Sequence, residues 1–315
     1  MPTIVRVTAC VMAAMLSACA TQPSTVAKEQ AVQEVAKETA KQGVPPDRNP
    51  LLMATLWWQV SSEALAASTQ TYTSAKRALD RALVESPKRS AALEQKSGFD
   101  SKPPAVVMDL DETVLDNGRQ QGELIRRGEI EYSAPLWDQW LHLQQAAAVP
   151  GAIGFIRYAQ RHGVRVFFVS NRECKERQGA TDKCPQQKDT AENLRKLGVQ
   201  SATLDEDLML KNERPEWKSE KQGRRELIAA NYRIVLLLGD DLGDFIADVK
   251  AAGITPEQRR EITRSHCSYW GDRWFFVPNP MYGSWEQTLA QPKPSYIQGF
   301  PTAAGVPVPE DCDES

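Results

Sequence analysis

Residues 105–113 read Ala-Val-Val-Met-Asp-Leu-Asp-Glu-Thr, an apolar run that ends in two carboxylates and a hydroxyl. The run is short and continuous, and two prolines precede it, so it suits a strand that is buried on both faces of a parallel sheet. Ligands of such sheets bind beyond the carboxyl ends of the strands. We therefore expect Asp109, Asp111 and Thr113 to lie at a functional site.

Two other apolar runs end in polar residues in the same way. Residues 164–169 read Val-Arg-Val-Phe-Phe-Val and are followed by Ser-Asn-Arg, and residues 234–238 read Ile-Val-Leu-Leu-Leu and are followed by Gly-Asp-Asp-Leu-Gly-Asp-Phe. Helical apolar spacing lies between the runs, at residues 152–158, 190–197 and 225–230. This alternation predicts an α/β fold with a doubly wound parallel sheet, in which the three polar clusters converge.

Four ordered motifs resemble those of the haloacid dehalogenase superfamily. They are Asp-Leu-Asp-Glu-Thr at 109–113, Ser-Asn-Arg at 170–172, a lysine within 218–221, and Gly-Asp-Asp-Leu-Gly-Asp-Phe at 239–245. With Ala-Val-Pro-Gly-Ala at 148–152 and Pro-Asn-Pro-Met-Tyr-Gly at 278–283, the chain is similar to the class C nonspecific acid phosphatases. The resemblance implies a sheet of the haloacid dehalogenase type with an N-terminal helical addition and a small cap. Asp241 and Gln120 depart from the family, which usually has Asn and often has Tyr there.

The resemblance implies a Mg²⁺-dependent acid phosphomonoesterase. Oxygen ligands suit Mg²⁺, which binds one or two carboxylates together with water and substrate phosphate. Asp109 and Asp240 are the expected side-chain ligands. The resemblance adds the backbone carbonyl of Asp111 and a supporting role for Asp244.

The resemblance also implies different roles for the two carboxylates of the first motif, Asp109 and Asp111. Asp109 is expected to attack phosphorus and form an aspartyl phosphate, which divides one difficult hydrolysis into two easier steps. Asp111 is expected to protonate the leaving alcohol and then to deprotonate water. For the first task Asp111 must hold a proton while Asp109 and Asp240 stay ionised, so we expect an acidic optimum.

Ser170, Asn171 and Lys221 are the expected phosphate-binding residues, since a hydroxyl and an ammonium stabilise charge in the transition state. Lys218 lies three residues before Lys221 and remains an alternative as the motif lysine. Without the family match, the better interpretation of either lysine is a side chain on a solvated helix face. For Ser170, a turn hydroxyl that bonds to the backbone is then about as good an interpretation as phosphate binding.

Aromatic residues flank the motifs and suggest how a substrate is held. The resemblance implies that Tyr132, Trp137 and Tyr282 stack on the non-phosphate part of the substrate, often a nucleobase, so nucleoside 5'-monophosphates are the expected substrates. The alternative is that these rings fill the core, as the i, i+3 pair of Trp137 and Trp140 would suggest.

The N-terminal sequence predicts a lipoprotein. Arg6 precedes an apolar segment that is too short to span a membrane, and Leu-Ser-Ala-Cys at 16–19 resembles a bacterial lipoprotein signal-peptidase site with Cys19 as the lipidated residue. By resemblance, Ala20 after this cysteine implies the outer membrane. Arg6 is the only charge in residues 1–18, so removal of this segment changes the net charge from −3 to −4, which argues against a nucleic-acid polymer as partner.

Four cysteines remain beyond the signal segment and the lipid site, an even set that permits three pairings. We expect Cys174–Cys184, which closes a polar loop behind the second strand, and Cys267–Cys312, which fastens the C-terminal tail. The alternative is four free buried thiols.

The predicted organisation has five parts and one catalytic domain. They are a signal peptide (1–18), a tether (19–48), an N-terminal helical segment (49–100), the catalytic α/β domain (101–290) and a Pro-rich tail (291–315). Within the third part we expect one apolar helix from Leu51 to about residue 83. Two rival functions remain, a surface-anchored binding lipoprotein and a dehalogenase. Retention of all four aspartates argues against the first, and Asp111 argues against the second, because halide departure needs no acid.

Overall fold

The structure is a computed structural model that describes residues 43–85, 88–297 and 299. The apolar run of the first motif forms the central strand of a five-stranded parallel sheet. The strand order is β5-β4-β1-β6-β7, and every neighbouring pair is parallel. The strands of this sheet are β1 (Pro104–Met108), β4 (Arg165–Glu173), β5 (Leu208–Lys211), β6 (Arg233–Gly239) and β7 (Trp274–Phe276). The prediction of a doubly wound α/β sheet is confirmed.

Alternate residues of β1 contribute to two separate hydrophobic clusters. Val106 and Met108 belong to one cluster, and Ala105 and Val107 belong to the other. Because successive side chains of a strand point to opposite faces, the sheet has a packed layer on each side, which explains why the strand sequence is apolar throughout.

Helices supply both layers. Their bounds in chain order are α1 (Leu52–Val60), α2 (Ser62–Val84), α3 (Gly118–Arg126), α4 (Ala134–Leu143), α5 (Ala152–Arg161), α6 (Pro185–Lys196), α7 (Leu204–Asp207), α8 (Gln222–Asn231), α9 (Pro256–Arg264) and α10 (Ser284–Gln287). Short 3-10 helices occupy Pro46–Arg48, Leu242–Asp244, Cys267–Tyr269 and Lys293–Tyr296.

The prediction of one helix across residues 51–83 is wrong in one respect, because Ser61 divides it into α1 and α2. Ser61 has extended backbone angles (φ −78°, ψ 142°), and its side chain accepts a hydrogen bond from the backbone N–H of Ala64 at 3.0 Å. Serine is a favoured N-cap, and this local capping interaction outweighs the continuous apolar pattern. The buried Tyr72 of α2 donates its hydroxyl to the carbonyl of Thr113, so this helix contacts the first motif directly.

The segment between β1 and α5 forms a small insertion that follows the carboxyl end of β1. It contains α3, α4 and an antiparallel pair of two short strands, β2 (Leu115–Asp116) and β3 (Ala147–Ala148). The indole Nε1 of Trp58 in α1 donates to Asp116 Oδ1 at 2.7 Å, so the N-terminal helices hold this insertion in place.

Pro45 begins the unit that contains all of these elements. Gly43 and Val44, the described residues that precede this unit, have no regular secondary structure. The predicted signal peptide, Cys19 and most of the tether lie outside the described residues. Among the described helices, none is long and apolar enough to cross a membrane.

Candidate active site

Three carboxylates meet at the carboxyl edge of the sheet, where β1 and β6 end side by side. Asp109 follows β1, and its backbone N–H donates to the carbonyl of Leu238 at 3.0 Å. Asp240 and Asp244 follow β6. One carboxylate oxygen from each of these three aspartates lies within 4.8 Å of the others, so together they can hold a metal ion.

Hydrogen bonds fix the two carboxylates of the β6 loop. Asp240 accepts bonds from the Thr113 hydroxyl at 3.0 Å and from Asn279 Nδ2 at 2.9 Å. The Oδ2 atom of Asp244 accepts the backbone N–H groups of Asp240 and Asp241, at 3.1 and 3.0 Å. These contacts hold the carboxylates in defined orientations before any ligand binds.

Gly239 makes this arrangement possible. A Cβ atom at this position would lie 2.2 Å from Oδ2 of Asp244, closer than any real contact. Only glycine therefore lets the last residue of β6 approach the Asp244 carboxylate.

Lys221 is the lysine that reaches the carboxylates. Its Nζ contacts Asp109 and lies 2.6 Å from Oδ1 of Asp244, and its side chain is almost completely buried. Lys218 instead donates to Oδ1 of Asn212 at the surface. The geometry thus separates the two lysines that the sequence left open.

The crowded charges shift several pKa values. Burial raises the pKa of Asp109 to about 6 against the opposing effect of Lys221, and the charges of Asp244 and Asp111 add to the rise. Burial, together with Asp109 and Asp244, raises the pKa of Asp240 well above its ordinary value. Burial alone favours the neutral amine of Lys221, but the Asp109 and Asp244 carboxylates outweigh it and raise the lysine pKa. One ammonium among three buried carboxylates leaves excess negative charge, which a divalent cation fits.

Asp111 has partners that the sequence did not reveal. The guanidinium of Arg172 donates to it from Nη2 at 2.7 Å and from Nε at 3.0 Å, and Asn117 Nδ2 donates at 2.8 Å. Arg172 belongs to the second motif, but nothing in its local sequence pairs it with a carboxylate 61 residues away.

Ser170 and Asn171 lie within the carboxyl-terminal half of β4, which continues to Glu173. The buried Ser170 hydroxyl oxygen accepts the backbone N–H of Arg172 at 3.0 Å, which leaves its hydrogen for another acceptor. Asn171 donates to the carbonyl of Ser219 at 3.0 Å and accepts from Arg224 at 2.9 Å. Asn171 therefore supports the loop that delivers Lys221.

The three predicted stacking residues occupy two positions. The rings of Tyr132 and Trp137 lie 6.4 Å apart, and the guanidinium of Arg172 lies 5.9 Å from the Trp137 ring. Tyr132 is 66% exposed, so its ring is available to a ligand. Tyr282 lies between Asn279 and α10 in the chain, and it packs on the core with a buried hydroxyl that has no hydrogen-bond partner.

Asp241, a departure from the resembled family, is a structural residue. Its carboxylate caps the 3-10 helix Leu242–Asp244, accepts the Ser284 N–H at 2.7 Å and lies 3.2 Å from Lys250 Nζ. Burial opposes its ionisation, but Lys250 and the Ser284 hydrogen bonds lower its pKa to about 2. Its extra charge is thus neutralised locally.

A disulfide joins Cys174 and Cys184, whose Cα atoms lie 4.8 Å apart, and it closes the loop that follows β4. Within this loop Arg177 bonds to Asp138 of α4 and Asp189 of α6, each at 2.7 Å. Cys312, the predicted partner of Cys267, lies outside the described residues.

A doubly wound sheet with an aspartate after its central strand, aspartates after the adjacent strand and a lysine between them has the architecture of the haloacid dehalogenase superfamily. The model of one family, described as HAD superfamily, subfamily IIIB (Acid phosphatase), matches residues 17–285. The chain belongs to this family of acid phosphatases, and it is therefore a phosphoric monoester hydrolase.

Solved structures agree with this assignment. The class C acid phosphatase from Bacillus anthracis is 34% identical, with a TM-score of 0.60, over 76% of this chain and 87% of that chain. The structure of the class C acid phosphatase from Bacillus anthracis with tungstate bound matches at 33% identity over the same shares, also with a TM-score of 0.60.

Proposed function

We propose that the protein is a Mg²⁺-dependent acid phosphomonoesterase that forms an aspartyl phosphate on Asp109 and acts on nucleoside 5'-monophosphates and other small phosphate esters. The observation that carries the proposal is the position of the Asp109 carboxylate, at the end of the central strand beside Asp240 and in contact with Lys221. A carboxylate held there faces the region where ligands of parallel sheets bind.

The residues present fit Mg²⁺. The clustered donors are carboxylate oxygens, the hard ligands that Mg²⁺ prefers. Burial raises the pKa values of Asp109 and Asp240, and the neighbouring carboxylates add to the rise; a bound cation would offset both effects. Asp109 and Asp240 would bind the ion through their side chains and Asp111 through its carbonyl, and Asp244 would support it. When bound, the ion neutralises the charge of the phosphoryl oxygens and so lets the anionic substrate approach an anionic nucleophile.

The two half-reactions use the same pair of aspartates. Asp109 attacks phosphorus, the bond to the leaving oxygen breaks, and that oxygen takes a proton from Asp111. In the second half-reaction Asp111 removes a proton from water as the water oxygen displaces Asp109 from phosphorus. Lys221 and the free hydroxyl hydrogen of Ser170 stabilise the phosphoryl oxygens. Tungstate, which binds the similar Bacillus anthracis enzyme, is an oxyanion, and this supports an oxyanion-binding site in the related fold.

Nucleotide substrates are favoured by aromatic residues that lie near the partners of the acidic residues. The Tyr132 and Trp137 rings are neighbours, and the Trp137 ring lies beside Arg172, which bonds to Asp111. Tyr282 follows Asn279, which bonds to Asp240, by three residues in the chain. A nucleobase offers a π-face to such rings without base-specific hydrogen bonds. The proposed cellular location is the bacterial outer membrane, through lipid on Cys19.

The test uses purified protein that lacks residues 1–19, assayed against a panel of phosphate esters with Mg²⁺ and with chelator. We expect turnover only with the metal, and we expect Asp109→Asn to abolish turnover while the circular-dichroism spectrum stays unchanged. Residual activity of Asp109→Asn within about tenfold of the wild type would exclude the aspartyl-phosphate mechanism.

A further inference from the structure

The two carboxylate oxygens of Asp111 differ sharply in their surroundings. Oδ1 accepts hydrogen bonds from Arg172 Nη2 at 2.7 Å, Arg172 Nε at 3.0 Å and Asn117 Nδ2 at 2.8 Å. Oδ2 receives a longer contact, 3.2 Å from Arg172 Nε. Oδ1 is therefore the anchored oxygen, and Oδ2 is the oxygen with acceptor and donor capacity to spare.

The two donors are themselves held by neighbouring helices. Arg172, whose side chain is 2% exposed, donates from Nη1 to the Thr190 hydroxyl of α6 at 2.9 Å. The Trp140 indole of α4 donates to Oδ1 of Asn117 at 2.8 Å, which directs the amide N–H groups of Asn117 towards Asp111. Thus β4, α4 and α6 together fix the orientation of one carboxyl group.

We propose that Arg172 and Asn117 are positioning residues that clamp Oδ1 of Asp111 and reserve Oδ2 for proton transfer. This inference rests on the proposed function, in which Asp111 is the general acid and base. The Oδ2–H bond breaks as the leaving oxygen, which keeps the electron pair of its broken bond to phosphorus, gains the proton. In the second half-reaction Oδ2 takes a proton from the attacking water.

The physical reason is orientation. A carboxyl group that rotates freely presents either oxygen to the leaving group, whereas charge-assisted bonds to one oxygen fix the plane of the group and select the other oxygen. A fixed acid has its proton in line before the phosphorus–oxygen bond breaks, so the benefit appears in kcat and not in substrate binding.

The test compares an alkyl phosphate, whose leaving alkoxide needs a proton, with p-nitrophenyl phosphate, whose phenolate departs unaided. Arg172→Gln in the otherwise intact enzyme is expected to lower kcat for the alkyl ester by about 10- to 100-fold, with KM within about threefold. The loss on the aryl ester is expected to be much smaller. Combined with Asp111→Asn, Arg172→Gln is expected to cause no further loss, because its effect passes through Asp111.

Arg165→Gln is the matched control. Arg165 begins the same strand and bonds to Asp207 at 2.7 Å, so its loss removes an ion pair of β4 without touching Asp111. Both esters are expected to retain their turnover. If Arg172→Gln does not fold, Thr190→Val and Trp140→Phe each remove one bond of the clamp without removing a charge, and the same ester selectivity is expected from each.

Two failures are distinguishable. If Asp111→Asn alone slows both esters equally, the proposed acid role of Asp111 is wrong. If Asp111→Asn is selective but Arg172→Gln slows both esters equally, or still lowers kcat when Asp111 is already Asn, the clamp is wrong and Arg172 acts elsewhere.

Discussion

The ammonium group of Lys221 and the Asp244 carboxylate lie 2.6 Å apart, although one comes from the loop before α8 and the other from the loop after β6. Both side chains are almost completely buried. The Lys221 ammonium thus lies between the carboxylate of Asp109, which follows β1, and that of Asp244, which follows β6. Breaking a buried ion pair by removing one partner is costly, because the other charge remains uncompensated.

Lys221 is also the proposed cationic partner of the phosphoryl oxygens. Lys221→Gln is expected to lower kcat for all phosphate esters by a factor on the order of 10²–10³, the scale seen when one stabilising donor is removed from a transition state. The matched control is Lys218→Gln, since Lys218 lies three residues away and donates to Asn212 at the surface. Steady-state kinetics should show Lys218→Gln within about twofold of the wild type, as expected for a surface change. Equal losses from the two variants would contradict the assignment.

The sequence predicted the strands that are buried on both faces, because the apolar runs are short, rich in β-branched or aromatic residues, and bounded by residues that end strands. It did not reveal β5 and β7, the edge strands, whose four and three residues are too short to give a pattern. The resemblance to a known family predicted that Asp109, Asp240 and Lys221 lie at one site. The bond between Arg172 and Asp111 joins residues far apart in the chain, and only the folded chain brings such a pair together.

The raised pKa of Asp109 predicts an unusual pH dependence of stability. Its pKa of about 6 exceeds the ordinary 3.8, so between these values the folded state binds more protons than the unfolded state. The free energy of unfolding should then fall as pH rises through this window, by an amount on the order of a few kcal/mol. Since Mg²⁺ binds the ionised carboxylates, it should recover this loss at higher pH.

Thermal melts with and without Mg²⁺ measure both effects. The increase in Tm caused by Mg²⁺ should be larger at about pH 7 than at about pH 5, and the difference should shrink in Asp109→Asn. An equal increase at both pH values would mean that the cation does not compete with protons for these carboxylates.

The membrane anchor can be tested at a single atom. Lipid attachment requires the thiol of Cys19, so Cys19→Ser is expected to leave an unprocessed or soluble precursor. Cys10→Ser, within the predicted signal segment, is the control and should leave processing unchanged. Cell fractionation and the size of the protein on a gel distinguish these outcomes. A Cys19→Ser protein that is still processed and membrane-bound would refute the lipoprotein proposal.

Tyr282 offers the sharpest test of substrate preference, because its ring and its hydroxyl can be separated. If the ring stacks on a nucleobase, Tyr282→Ala should lose about 1–3 kcal/mol of binding, which raises KM for nucleoside monophosphates about 5- to 150-fold. KM should rise alike for adenine, guanine, cytosine and uracil, because every base has a π-face. Turnover of a small aliphatic phosphate should barely change.

Tyr282→Phe is the matched control: the hydroxyl is buried without a hydrogen-bond partner, so its removal should leave the turnover of both substrates unaffected. If Tyr282→Ala instead slows both substrate types together and lowers Tm, the ring supports the fold, and the preference for nucleotides must come from other residues.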